Sequence, residues 1–275
     1  MQGKMDAYMQ FLEQEERSLA TRKQYRRDIL HFCAFLGEEP PSKERVIQYK
    51  QALQQRYQPS SVNAKLAAVN GFLSFLELPQ LRVKQLKIQR SPFLPGSKEL
   101  NRAEYAQLVK TARLTGDERL AMLLQTICST GIRVSELPFI TAEAAFAGAA
   151  SIHLKGKHRT ILLPEQLCRA LQDYLARRGI TSGPIFVTRS GRPLDRSYVW
   201  KRMKQLCSRA GVAESKVFPH NLRHLFASCF YSADRDIAHL ADILGHSNIN
   251  TTRIYIATSG GEHRRQIEAL NLVQP

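Results

Sequence analysis

The chain has 275 residues, 43% of them hydrophobic, enough to bury one large core or two smaller ones, which excludes disorder as its main state. Forty Lys and Arg against twenty-four Asp and Glu leave a formal charge of +16, which points to a polyanion: nucleic acid or an anionic membrane surface. No run approaches the roughly 18 consecutive apolar residues of a spanning helix, and the opening Met1-Gln2-Gly3-Lys4-Met5-Asp6 has no apolar signal core, so no membrane partner and an intracellular location are expected.

The first ninety residues read as four short amphipathic helices, a small all-α domain over 1–90. Helices are expected at about 4–16 and 42–56, with Tyr25, Ile29, Phe32 and Leu36 marking the buried stripe of a second and Val62, Leu66, Val69, Leu73 and Leu76 that of a fourth. Pro40-Pro41 breaks the second helix from the third, and Pro59-Ser60-Ser61 is a helix-entry signal. Opposite the apolar stripe, the second helix carries Arg22, Lys23, Arg26 and Arg27, and the fourth starts with Ser60, Ser61, Asn63 and Lys65. Either set could lie along a phosphate backbone or in a groove, and either could be an ordinary solvated face.

From Leu78-Pro79 to Glu99 the helical period fades into a basic, proline-punctuated stretch, with the linker proper at 91–98. Fifteen basic against nine acidic residues in 1–97 (+6), and twenty-five against fifteen in 98–275 (+10), make both halves basic, so a partner touching both fits better than one basic tail.

The second domain, 99–275, reads as mostly helical with one small antiparallel sheet. Asn101 caps a first helix, and Leu120, Leu123, Leu124, Ile127 and Cys128 line a buried second that Gly131 ends. The β-branched segments 151–155 and 158–163, separated by Gly156-Lys157, form a hairpin with Lys155 at its tip. Pro164 starts another helix, and a basic one from Asp195 to Ala210 carries Arg196, Lys201, Arg202, Lys204 and Arg209 after Gly191-Arg192-Pro193. The alanine-rich run Thr141–Ala150 leaves the strand boundary before the hairpin open. Five widely spaced cysteines without a C-x-x-C pair read as small core residues in a reducing compartment.

Four scattered segments hold polar residues that packing explains poorly: Thr130-Gly131-Ile132-Arg133-Val134-Ser135-Glu136-Leu137, the hairpin tip Lys155-Gly156-Lys157, His220-Asn221-Leu222-Arg223-His224, and Leu244-Gly245-His246 with Tyr255 nine residues on. Each has a bland alternative: an Arg133–Glu136 surface ion pair, a hairpin-tip lysine, a packing tyrosine. His220 and His224 have the spacing of a zinc pair, but position 221 is Asn rather than the Glu of H-E-x-x-H and no acidic ligand follows, so no metal is expected.

In this order and spacing the segments resemble the tyrosine recombinase (integrase) family, in particular its compact two-domain Xer-like members: an Arg in T-G-x-R-x-S-E-L, a Lys in a β-hairpin, H-x-L-R-H, L-G-H and a Tyr nine residues later. The four-helix domain resembles the family's core-binding domain, so nearly the whole chain is covered. The resemblance implies that Tyr255 attacks a DNA phosphodiester to give a 3′-phosphotyrosyl enzyme and a free 5′-hydroxyl. It implies that Arg133 and Arg223 bind the non-bridging oxygens, His246 donates to the phosphate, Lys155 protonates the leaving oxygen and His220 serves proton transfer. Glu136 would orient the site and His224 would be structural.

Physical chemistry agrees with these residue types. Two planar guanidiniums can neutralise a pentacoordinate phosphorane bidentately. A tyrosine of ordinary pKa about 10 needs a positive pocket to attack as phenolate. Transesterification conserves the bond energy, so no cofactor is expected. DNA contacts are expected from Arg22, Lys23, Arg26, Arg27, Ser60, Ser61, Asn63, Lys65, Lys157, Arg192, Arg196, Lys201, Arg202 and Lys204. The implied partners are a specific duplex site with inverted-repeat character and further copies of the chain, assembled as a tetramer through a terminal helix at 262–272. The implied setting is the cytoplasm of a bacterium, on nucleoid or mobile-element DNA. A type IB topoisomerase-like nicking-closing enzyme and a DNA-binding regulator with a vestigial site are the alternatives.

Overall fold

In the computed structural model, which describes residues 2–88, 99–154, 157–188, 190–246, 248–253 and 268–269, the chain divides into two units, Met1–Arg90 and Ser91–Pro275. The architecture is mainly helical with one small antiparallel sheet, as the sequence predicts. Among the described residues no helix is long and apolar enough to cross a membrane.

The first unit consists of α1 (Gln2–Gln14), α2 (Leu19–Leu36), α3 (Lys43–Arg56) and α4 (Pro59–Phe75). The breaks have local causes. Ser18 and Ser42 accept the N–H groups of Thr21 (3.2 Å) and Arg45 (3.3 Å), satisfying donors that the first helical turn leaves open. Pro59 sits in the first turn of α4, where its missing N–H loses no intrahelical bond. The predicted stripes form the core: Ile29, Phe32 and Leu36 of α2 meet Val62, Leu66, Val69, Phe72 and Leu73 of α4, with Tyr49 and Leu53 of α3 and Met5, Tyr8 and Leu12 of α1 closing the two ends.

Beyond α4 the basic stretch that begins at Leu78 is tied to the first unit as far as Leu86. Asn70 donates to the Val83 carbonyl (2.9 Å) and accepts from its N–H (3.0 Å), and Asn63 does the same for Leu86 (2.9 and 2.7 Å). An amide side chain that both donates and accepts at one residue takes the place of a neighbouring strand. Residues 91–98, the expected linker proper, lie outside the described residues.

In the second unit, Asn101 and Glu104 close a reciprocal capping box on α5 (Arg102–Leu114). The next helix, α6 (Glu118–Thr130), is buried on nearly every side and packs against α5, α8 (Glu165–Arg178) and α10 (Pro219–Asp234). Its two buried threonines satisfy themselves internally: the Thr126 hydroxyl donates to the Met122 carbonyl (2.8 Å) and that of Thr130 to the Thr126 carbonyl (2.5 Å). A 3-10 turn (Val134–Phe139) and α7 (Ala142–Ala147) lead into β1 (Ala149–Leu154), which pairs antiparallel with β2 (Lys157–Leu162). Further on come α9 (Arg196–Ala210), α11 (Ile237–Leu244) and α12 (Ile249–Arg253).

Two details of the hairpin differ from the sequence reading. Leu154 stands opposite Lys157, so the connection is Lys155-Gly156 and Lys157 opens β2 instead of sitting in the turn. Two-residue connections are the commonest between the strands of an antiparallel hairpin. The first strand also starts at Ala149, two residues early: the alanines of 142–147 form α7, capped by Thr141, which accepts from the Ala144 N–H at 3.1 Å, and Gly148 ends it in the left-handed conformation (φ 71°) directly before the strand. The cysteines carry free thiols, Cys168 and Cys207 buried and the other three partly buried.

Candidate active site

Gly131 ends α6 in the left-handed conformation (φ 65°) and turns the chain so that Arg133 leaves the helix axis. A side chain at 131 would also collide with Phe226 of α10 and Leu244 of α11, so glycine is required twice over. The Glu136 carboxylate closes the turn: Oε2 accepts the Arg133 backbone N–H (2.7 Å) and Oε1 accepts Arg133 Nη1 (3.1 Å). The ion pair expected of these residues is therefore real, but only its arginine reaches solvent: Glu136 is 3% exposed and braces the turn from inside, while the Arg133 side chain is 42% exposed.

On α10, His220, Arg223 and His224 are spaced to share one face. Arg223 is 1% exposed and donates to two helix ends, the Gly131 carbonyl of α6 and the Leu244 carbonyl of α11 (2.8 Å). Guanidinium charge at helix C-termini is favourably placed, since the last carbonyls there lack intrahelical donors. Its Nη2 also lies 2.8 Å from His246 Nε2, and His246 Nδ1 lies 2.9 Å from the hydroxyl of buried Thr252 on α12. His224 Nδ1 is 3.3 Å from Ser228 Oγ, one turn along the same helix.

Arg133, His220 and Arg223 line one cavity of about 410 Å³, together with Arg196 from the start of α9. Burial lowers the pKa of His220, and Arg223, His224, Arg133 and Arg196 lower it further. His246 is brought from 6.5 to about 4, by burial first and then by Arg223, Arg133 and Arg159. Both imidazoles are thus neutral near pH 7 in a pocket rich in guanidinium, which suits an anionic group of the size of a phosphate diester. Among the described residues no group of three or more His, Cys, Asp or Glu side chains is arranged to hold a metal ion.

Other predicted site residues are placed as follows. Lys155 and Tyr255 lie outside the described residues, as does the expected terminal helix at 262–272 apart from residues 268–269; the side chain of Lys157 is likewise not described. In the first unit, Arg22 pairs with Glu13 (2.7 Å), Arg26 with Asp6 (3.5 Å), and Arg27 bonds Gln24. Asn63 is occupied by Leu86, and Lys65 by the fully buried Asp28 (2.9 Å), while Lys23, Ser60 and Ser61 are exposed. On and near α9, Arg202 pairs with Asp117, Lys204 bonds the Glu214 carbonyl and lies over the Trp200 ring, and exposed Arg192 reaches Ser190 (3.3 Å). Lys201 is exposed.

Two residues that sequence reasoning passed over belong to this cluster. Arg159 of β2 donates Nη2 to Glu136 Oε2 (2.6 Å) and Nη1 to the Ile243 carbonyl (2.8 Å). A signal existed: Arg159 is two residues from the buried Ile161 and opposite the buried Ile152, hence on the inner face of the sheet. Thr252 had none, because its partner His246 is set by the α11–α12 turn.

Residues 98–261 match the phage integrase family, and residues 5–79 match the N-terminal SAM-like domain of phage integrases. The chain is 27% identical to the tyrosine recombinase XerA of Pyrococcus furiosus, over 98% of this chain and 94% of that one. It is 28% identical to the tyrosine recombinase XerD of Staphylococcus saprophyticus, over 95% and 96%. Among solved structures it resembles a lambda integrase fragment bound as a dimer to a core site (TM-score 0.74, 15% identity, 93% of this chain and 95% of that one). It also resembles the XerH site-specific recombinase bound to its difH substrate (TM-score 0.71, 20% identity, 93% and 80%). With both halves matched in order across nearly its full length, the chain belongs to the phage integrase family of tyrosine site-specific recombinases.

Proposed function

We propose that the chain binds duplex DNA at a specific site and exchanges strands there through a 3′-phosphotyrosyl intermediate, without ATP or a metal ion. The observation that carries this reading is the meeting of Arg133, Arg223 and His220 at one cavity, with His246 against Arg223. Tyr255 is the nucleophile: its phenolic oxygen bonds to phosphorus, the P–O5′ bond breaks, and Lys155 gives its proton to the leaving 5′-oxygen. The phenolic proton passes to His220, kept neutral by its surroundings. Arg133 and Arg223 neutralise the charge that builds on the non-bridging oxygens. Attack by a 5′-hydroxyl of another strand reverses these steps and releases the tyrosine.

His246 completes the set by changing tautomer. A guanidinium only donates, so Nε2 facing Arg223 is an acceptor and Nδ1–H donates to Thr252. To donate to a phosphate oxygen, Nε2 takes the proton while the Thr252 hydroxyl, which can also donate, turns its hydrogen to Nδ1. Two donors cannot face each other at 2.8 Å, so Arg223 Nη2 gives up Nε2 for the phosphate in the same step.

The basic faces of α2 and α9 supply phosphate contacts, and a helix at 262–272 joins four copies across paired inverted-repeat sites. The enzyme works on chromosomal or mobile-element DNA in the cytoplasm. The test is covalent trapping, in chelator, on a nicked duplex that carries the sequence this chain selects from a random library. Wild type is expected to trap and Tyr255→Phe to bind without trapping; a wild type that never traps, or a variant that still does, overturns the proposal. Relaxation of supercoiled DNA by a persistent monomer, with no joint products, identifies a nicking-closing enzyme instead.

A further inference from the structure

Arg159 joins the three parts of the cluster, and the roles proposed above leave it without one. Its Nη2 reaches the same Glu136 oxygen that holds the Arg133 backbone N–H. Its Nη1 takes the Ile243 carbonyl, next to the Leu244 carbonyl taken by Arg223. Its stem lies against Gly245, where a Cβ would come within 2.7 Å of Arg159 Cδ, so the glycine before His246 is what lets this arginine pass. One side chain thus touches the Arg133 turn, the end of α11 and the approach to His246.

We infer that Arg159 is a positioning residue: it fixes the Arg133 turn relative to the Arg223–His246 pair by holding Glu136 and the last turn of α11 at once. The inference rests on the function proposed above. The mechanism is competition for one carboxylate. Glu136 is a single buried anion shared by two guanidiniums. Without Arg159 it pairs with Arg133 alone and draws that guanidinium away from a phosphate. Lysine at 159 offers a point charge in place of a fork, so it can serve the carboxylate or the carbonyl but not both in this geometry.

The experiment uses the full-length protein and the nicked duplex described above, in two forms: the ordinary phosphodiester, and a methylphosphonate at the scissile position, which carries one charge less. On the ordinary duplex, Arg159→Ala is expected to slow covalent complex formation about a hundredfold, with duplex affinity little changed and Arg159→Lys in between. On the methylphosphonate the ratio of wild-type to variant rates is expected to shrink about tenfold, as it should for Arg133→Ala, because there is less charge for Arg133 to neutralise. Equal ratios on the two duplexes, or an unimpaired Arg159→Ala, overturn the inference. If Arg159→Ala melts too low to assay, the same comparison is made with Arg159→Lys. Trapping by Tyr255→Phe defeats the proposed function itself, whatever Arg159 does, so the two failures are distinguishable.

Discussion

Arg223 Nη2 stands 2.8 Å from His246 Nε2, so a buried cation and an imidazole meet directly. Their proximity is tolerable only while the imidazole is neutral, and the folded protein keeps it so by burial and by three guanidiniums.

This arrangement has a pH signature. His246 titrates near its ordinary 6.5 in the unfolded chain and near 4 when folded. Between these values the unfolded state binds more protons, so stability rises with pH across the window and is lost as pH falls from 6.5 towards 4. His220 is shifted in the same direction and adds to the slope. Urea unfolding of wild type and His246→Gln at intervals from pH 7 to 4.5 tests this. The wild type is expected to lose more stability on acidification than the variant; parallel curves mean that His246 is not held neutral by the fold.

A comparison of two glycines separates backbone strain from crowding. Gly131 and Gly179 have nearly the same φ, +65° and +64°, but an added Cβ at 179 meets nothing within 4 Å, whereas at 131 it falls 2.5 Å from Phe226 Cδ1. Gly179→Ala is expected to cost about 1 kcal/mol for the left-handed backbone. Gly131→Ala is expected to cost about 1–3 kcal/mol more, because α6, α10 and α11 must move apart. Denaturant midpoints of the two variants decide it, and equal losses remove crowding as the reason for Gly131. Since Arg223 is bonded to the Gly131 carbonyl, Gly131→Ala should also slow strand cleavage, which Gly179→Ala should not.

The contrast between what was legible in the sequence and what was not follows from chemistry. The turn at Gly131–Glu136 could be read because a helix stop, an arginine and a carboxylate three residues on form a local unit. The helical stripes of α2 and α4 could be read because burial on one face imposes a period. For Arg159 the strand alternation shows only that it faces inward; its partners, Glu136 and Ile243, are 23 and 84 residues away, so what it holds is not written in the local pattern. Asn63 and Lys65 look groove-facing in sequence for a related reason. A polar residue on a helix has the same sequence signal whether it meets water, DNA or an adjoining segment, and here the partners are Leu86 and Asp28.

That last ambiguity yields a prediction about two groups of basic residues in the first unit. Lys65 is 16% exposed and bound to an aspartate with no exposure at all, so its charge is consumed inside the fold. Lys65→Met leaves Asp28 buried without its cation and is expected to destabilise the unit by about 3 kcal/mol, the cost of breaking a buried pair from one side. The salt dependence of DNA binding should stay as it was. Lys23 and Arg27 on α2 present the opposite case, being exposed and without a carboxylate partner among the described residues. Lys23→Gln with Arg27→Gln is expected to leave the melting temperature near the wild-type value and to flatten log K against log salt by about 0.9 for each DNA phosphate that the pair neutralises in the wild type. The two measurements cross-check each other: a flatter slope for Lys65→Met, or an unchanged slope for the α2 pair, would exchange the roles given to the two helices.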